Sequence, residues 1–319
     1  MAQARILLGD VGGTHIRFAW AADNGAARDA SIFFTSAFAS FEDALTRFLE
    51  NEGRPVVHAA AFCAAGPAIG GRIAMTNIGW SVSEETLARV LGTPRVRVTN
   101  DFTAAALGLP HLRRGDLVPL GGGEGDPDAP IALLGPGTGL GISGLVPDGH
   151  GGFVPIAGEG GHADLAPASD REIAVVFHLL REHGHVSAER VLSGGGLETL
   201  YLALAALDGA AHTRRLTAPD IAKAAREGRD RLAVETLALF TGWLGAVAGD
   251  VALTLGARGG VYVAGGIVPK WGALFDAGLF RRRFEAKGRL RGFLAPIPAY
   301  LVTAEDLAFR GLAALARAL

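Results

Sequence analysis

Two glycine-rich turns, each set between extended apolar runs, constrain this chain more than any other feature. Residues 5–20 read RILLGD, a VGGT turn and HIRFAW; residues 131–146 read IALLGPGTGLGISGLV. Glycines allow successive backbone N–H groups to approach an anion without interference from a Cβ, so both turns suit a phosphate. Neither carries the lysine of a GxxxxGK[ST] loop, and neither opens the helix that a dinucleotide fingerprint requires. HIRFAW and GISGLV alternate as returning strands instead. Two hairpin turns, one from each of two lobes, are thus expected to clasp a polyphosphate from two sides, although either alone could be a simple tight turn. Asp10 stands at the lip of the first turn, where a carboxylate suits a hydrated Mg²⁺ held through water. Thr14 and Thr138 add hydroxyls.

A second lobe that restarts as the first one did suggests an internal duplication, and 319 residues give room for two lobes and a cleft. The spacing of Phe41, Leu45, Phe48 and Leu49 predicts a helix over 41–50, and VVHAAAFCAAG at 56–66 reads as a buried strand. SEETLARVL (83–91) predicts a helix with Ser83 as its cap, and RVRVTND returns a strand at 95–101. This is an α/β pattern with parallel pairing. The looser 111–130 stretch marks the crossing into the second lobe, where helices dominate from Asp170 to Leu255. GGVYVAGGIVP then supplies a further strand and turn, and 305–319 a terminal helix. The charge-free run between Glu235 and Asp250 is shorter than a membrane span, and reads as a buried helix whose Gly242, Gly245 and Gly249 permit close packing.

Charge and cysteine content narrow the function. Thirty Lys and Arg against 32 Asp and Glu leave a net charge of −2, without the basic excess that nucleic acid binding uses. Cys63 stands alone, so an intrachain disulfide and a multi-thiolate zinc site are both excluded, and a reducing cytoplasm fits. No signal peptide is expected, because strand-like ILLGDVGG follows Met1 to Arg5 at once.

Four segments place polar residues in apolar context: MTNIGW (75–80), VTNDFTAAA (98–106), GEGGHADLAP (158–167) and HVSAERVLSGGG (185–196). Asn100 and Asp101 fall where an extended run gives way to a helix, the end of an α/β strand at which ligands bind. Asp101 there can accept the proton of an attacking alcohol, or it can simply cap the helix. Glu159 and His162 share a glycine-lined turn from which a carboxylate and an imidazole can bond adjacent hydroxyls. Glu189 precedes a further GGG turn. Taken singly, Glu159 and Glu189 read as solvated charges and His162 as a structural histidine.

In order, LLGDVGGT, AMTNIGW, TNDFTA, GPGTGLG, GEGGHADLAP, HVSAERVLSGGG and GGVYVAGGIVP resemble the bacterial glucokinase family of the actin-like ATPase superfamily, over nearly the whole chain. The resemblance implies two ribonuclease H-like α/β lobes around a central cleft. One would be residues 1–110 plus about 302–319, a small domain completed by the C-terminal helix; the other would be a large domain at 111–301. It implies ATP-dependent phosphorylation of glucose at its 6-hydroxyl, with ATP and Mg²⁺ as cofactors and Asp101 as the base. Asn100, Asp101, Glu159, His162 and Glu189 match the family's glucose ligands. Asp10, Gly12, Gly13 and Thr14, with Gly137, Thr138 and Gly139, match its Mg-ATP phosphate ligands, and Gly265 and Gly266 lie in the AGGI turn expected near the adenosine. The family includes homodimers. Nucleic acid and membrane are not expected partners. A kinase of mannose, fructose or N-acetylglucosamine is the nearest alternative, followed by a sugar-sensing protein without catalysis. Two departures stand out: GGTH replaces the frequent GGTN, so no role passes to His15, and EDLAFRGLAALA replaces an NPGLLG-like tail.

Overall fold

The computed structural model describes residues 5–22, 26–75, 78–210 and 214–319. Thr76 and Asn77 of the MTNIGW segment therefore lie outside the described residues.

The chain divides into two compact units: residues 1–114, 153–158 and 304–319, and residues 115–152 and 159–303. In the first unit, strands β1 (Arg5–Val11), β2 (His15–Ala21), β3 (Ala27–Phe34), β4 (Val57–Ala64) and β7 (Val96–Asn100) form one sheet in the order β3-β2-β1-β4-β7. The first three run as an antiparallel meander, and β4 and β7 continue parallel to β1. The short hairpin β5 (Arg72–Met75) and β6 (Trp80–Ser83) stands apart.

Side chains alternate along each strand, so one sequence feeds two cores. Leu7, Phe18 and Phe62 face a cluster with α1 (Phe41–Asn51) and α2 (Glu84–Leu91). Leu8, Ala19, Ala61 and Cys63 face the opposite one, with Ala104 of α3 (Asp101–Gly108) and Phe309, Leu312 and Ala313 from the C-terminal helix.

The second sheet is built from β8 (Leu117–Pro119), β9 (Ile131–Pro136), β10 (Leu140–Pro147), β11 (Phe153–Ile156), β12 (Gly260–Val263) and β13 (Ala299–Val302), in the order β11-β10-β9-β12-β13-β8. β9 and β10 are an antiparallel hairpin, β12 and β13 run parallel to β9, and β8 is added antiparallel at the edge. Apart from β8, its strand order repeats that of the first sheet, which supports the duplication suggested by the two turns.

Helices α4 (Asp170–His183), α5 (Gly194–Leu207), α6 (Ala218–Glu227), α7 (Arg231–Leu255), the one-turn α8 (Val268–Trp271), α9 (Ala277–Glu285) and the one-turn α10 (Arg291–Leu294) complete the second unit; α11 (Leu307–Arg317) returns to the first. The 25-residue α7 is longer than the charge-free run it contains. By length and hydropathy it could cross a membrane, yet 61% of its most apolar window is buried inside the protein, as suits a core helix. A Cβ at Gly245 would strike the carbonyl of Phe280, and one at Gly249 that of Phe284. These two glycines therefore set how closely α9 packs against α7.

Two local expectations need correction. Ser83 occupies the N-cap position of α2, but its hydroxyl makes no capping bond; Glu84 instead reaches across to accept the backbone N–H of Val98 at 2.9 Å. Gly194–Gly196 are not a turn but the first residues of α5, capped by Ser193, whose hydroxyl accepts the N–H of Gly196 at 2.9 Å.

Candidate functional site

Within the first unit, strand register gathers the predicted residues at one edge of the sheet. Asp10 on β1 lies beside Cys63 on β4, which lies beside Thr99 on β7, so the carboxyl ends of three parallel strands bring Asp10 near Asn100 and Asp101. Two strand spacings separate β1 from β7, roughly 10 Å. The electrostatics agree, because the buried Cys63 thiol is raised well above its ordinary pKa by burial first, and then by the charges of Asp10 and Asp101. Cys63 is consequently a thiol, not a nucleophile.

The division of labour between Asn100 and Asp101 differs from their appearance in sequence. Asn100 is the N-cap of α3: its Oδ1 accepts from the N–H groups of Phe102 at 2.8 Å and Thr103 at 3.1 Å, while its Nδ2 donates to the carbonyl of Gly66 at 3.1 Å. Asp101 is the first helical residue, half-buried, with Oδ1 also accepting from Phe102 N–H at 2.9 Å. Asn100 thus holds the N-cap position, and Asp101 adds a second acceptor for the Phe102 N–H.

Asp10 is held on both oxygens. Arg17 donates to Oδ2 through Nε at 3.0 Å and through Nη2, and the Cys63 thiol approaches Oδ1 at 3.6 Å. The Arg17 guanidinium lies over the ring of Phe309, 5.2 Å from its centroid. Neither Arg17 nor Cys63 was singled out for this role. Arg17 was legible in principle, since a hairpin closed on Gly12–His15 places Asp10 opposite Arg17. The turn itself closes when Gly12 N–H donates to His15 O at 2.8 Å, and Thr35 braces it, donating its hydroxyl to Gly12 O and its N–H to Thr14 O. Gly13 and Thr14 are left exposed at the tip. His15 faces Phe34, ring centroids 5.0 Å apart.

In the second unit the turn between β9 and β10 is one residue tighter, Gly137 N–H donating to Gly139 O at 2.8 Å, with Thr138 exposed at the tip. The start of α5 adjoins it, Gly194 N–H donating to Gly137 O at 2.9 Å. This brings the positive end of a helix dipole to the turn. Gly265, at φ +90°, packs its Cα against the carbonyl of Pro136 at the end of β9, and Gly266 beside it has open space around it. Thus the AGGI turn and the GPGTG turn are neighbours.

Glu159 and His162 flank a single 3-10 turn, and both are exposed. The turn is zipped to the Glu189 segment by Glu189 N–H to Gly161 O at 2.9 Å and Ala188 N–H to Ala163 O at 2.8 Å. The half-buried Glu189 side chain reaches two places: Oε2 accepts Leu140 N–H at 2.8 Å, and Oε1 faces Nε2 of His162 at 3.8 Å. Glu159, His162 and Glu189 are therefore brought together, beside Gly139. A cavity of about 370 Å³ opens elsewhere in the first unit, lined in part by Ser40, Glu42, Arg72 and Trp80, and contains none of these groups. The candidate residues are located by the two groupings described above, one in each unit, and not by that cavity.

Among the described residues no cluster of three or more His, Cys, Asp or Glu could hold a metal ion. Asp10 fits Mg²⁺ only through water, because Oδ2 is engaged by a full positive charge and Oδ1 meets only a weak thiol donor.

Comparison with known proteins bears on the family of the chain. A family model described as Glucokinase matches residues 7–319. A glucokinase of Chromobacterium violaceum is 47% identical over 308 residues, covering 97% of this chain and 88% of that one. The bifunctional protein glk of Burkholderia thailandensis is 44% identical over 309 residues, and the chain spans about half of its length, 48%. Among solved structures, a glucokinase from an Antarctic psychrotroph superposes with a TM-score of 0.88 at 33% identity, over 99% of this chain and 100% of that one. With the family model spanning nearly the whole sequence and the fold matched from end to end, the chain belongs to the glucokinase family.

Proposed function

We propose that the chain phosphorylates glucose at its 6-hydroxyl with ATP, and that Asp101 accepts the hydroxyl proton during transfer. The observation that carries this is the pairing of Asn100 and Asp101: the amide caps α3, and the carboxylate stands at the carboxyl end of the sheet, two strands from Asp10. A carboxylate so placed meets the demand that phosphoryl transfer makes on its base. Glu159, His162 and Glu189 bond the sugar hydroxyls, and their convergence on one turn supports this. Gly12, Gly13 and Thr14, with Gly137, Thr138 and Gly139, hold the phosphates, and Gly265 and Gly266 border the adenosine. Mg²⁺, held through water by Asp10, would supply charge neutralisation for the phosphates. Arg17 keeps the Asp10 carboxylate fixed for that purpose. A lone buried thiol suits a reducing cytoplasm.

ADP release measured against a panel of hexoses, with ATP alone as control, tests the assignment. Glucose is expected to give the highest kcat/KM; mannose, fructose or N-acetylglucosamine ahead of it would replace the substrate, and release independent of any sugar would remove the kinase. Sugar-side contacts have their own test. Glu159→Ala or His162→Ala is expected to weaken glucose binding by about 1–3 kcal/mol, because a sugar hydroxyl loses its partner. Glucose-dependent thermal shifts measure this directly, and shifts equal to those of the unaltered protein would exclude the two residues from the sugar site.

A further inference from the structure

Four glycines around the second phosphate turn are glycine for different reasons. Gly265 needs its positive φ, and Gly161 packs its Cα on the carbonyl of Leu140. A Cβ on Gly137 would meet no protein atom within 4 Å, the condition expected of a backbone that leaves room for a ligand. Gly139 differs from all three. Its φ lies outside the left-handed region, so other residues could adopt its backbone, yet a Cβ there would fall on Oε2 of Glu189.

That oxygen is the one that accepts the Leu140 N–H at 2.8 Å. The backbone of Leu140 is consequently held at both its polar groups, by Glu189 on its N–H and by Gly161 against its carbonyl. With Oε2 fixed, Oε1 is directed to His162, 3.8 Å away.

We infer that Gly139 is a positioning residue for the sugar and not only part of the phosphate turn: its missing side chain is the seat of the Glu189 carboxylate. This rests on the reading of Glu189 as a glucose ligand. A side chain at position 139 would push Oε2 off the Leu140 N–H and turn Oε1 away from the hydroxyls that it shares with His162. The defect would appear in glucose binding, although the altered residue belongs to a turn whose composition speaks of phosphate.

Calorimetric titration of glucose without nucleotide, and separately of Mg-AMPPNP, tests the inference. Gly139→Ala is expected to raise the glucose Kd roughly tenfold or more, the scale set by losing a well-placed polar partner, and to change the nucleotide Kd much less. Shortening the acid relieves the clash, so Gly139→Ala with Glu189→Asp is expected to bind glucose more tightly than Gly139→Ala alone, and to fold if the single variant does not. An unchanged glucose Kd in Gly139→Ala, or a nucleotide Kd that alone rises, would overturn the inference. Glu189→Gln separates the two levels: if it binds glucose as the unaltered protein does, Glu189 is no sugar ligand and the underlying reading fails with the inference; if it loses glucose while Gly139→Ala does not, only the inference fails.

Discussion

Replacing Asp101 with Asn is expected to lower kcat by roughly 10²–10⁴-fold, the usual contribution of a general base, while the fold stays intact. The structure explains why the two effects separate. Asn100, not Asp101, caps α3, and an Asn at 101 keeps an oxygen to accept the Phe102 N–H now bonded at 2.9 Å. What is lost is the charge, worth about 0.3–1 kcal/mol in the first turn of a helix, and the capacity to take a proton. KM for glucose is expected to move far less than kcat, since an amide still accepts a hydrogen bond from the alcohol. Steady-state kinetics beside a thermal melt measure both. Turnover close to that of the unaltered enzyme would remove Asp101 from the mechanism, and a collapsed melting temperature would make its role structural.

The largest effect on stability is expected from Arg283→Met. Glu172 on α4 is 2% exposed, yet it carries a charge that Arg283 of α9 meets with two bonds, of 2.6 and 3.0 Å; one of its oxygens also accepts the N–H of Ala168 at 2.7 Å. Removing one partner of a buried pair leaves an uncompensated charge and costs about 3–5 kcal/mol. Replacing both by apolar residues of similar volume removes the stranded charge, so Glu172→Met with Arg283→Met is expected to recover much of that loss, less the bond to Ala168. Denaturant unfolding followed by Trp243 and Trp271 fluorescence, in a Trp20→Phe, Trp80→Phe background, reports on the unit concerned. A single variant as stable as its parent would mean that the Glu172–Arg283 pair does not hold α4 to α9.

The two hairpins were legible because they depend on neighbours in sequence: a short glycine turn between alternating runs fixes the two strands and leaves few registers, of which the structure takes the one that sets Asp10 opposite Arg17. Asn100 and Asp101 were legible as a strand end, but which of them capped was not, since both can cap and only backbone geometry decides. Contacts between distant segments left no local trace. Cys63 meets Asp10 across 53 residues, Glu189 meets Leu140 across 49, and Arg283 meets Glu172 across 111. The strands β3 and β8 and the hairpin β5–β6 escaped for another reason. Edge and isolated strands bury little, and the pattern ARDASIFF of β3, mostly exposed, carries no clean period.

Helix α11 docks on α3 through two glycines: a Cβ on Gly311 would strike the Ala104 carbonyl, and one on Gly108 the carbonyl of Leu307. The ribosome makes the α11 segment after everything it supports. While residues 115–303 emerge, Leu8, Ala61 and Cys63 wait without the cover that Phe309, Leu312 and Ala313 give them. The first unit is thus completed only by the last-made helix, unlike an N-terminal domain that folds as it emerges. Limited proteolysis of a chain truncated after residue 303 is expected to cut within 1–114 and spare 159–303, whereas equal resistance of both would show that the first unit closes without its last helix.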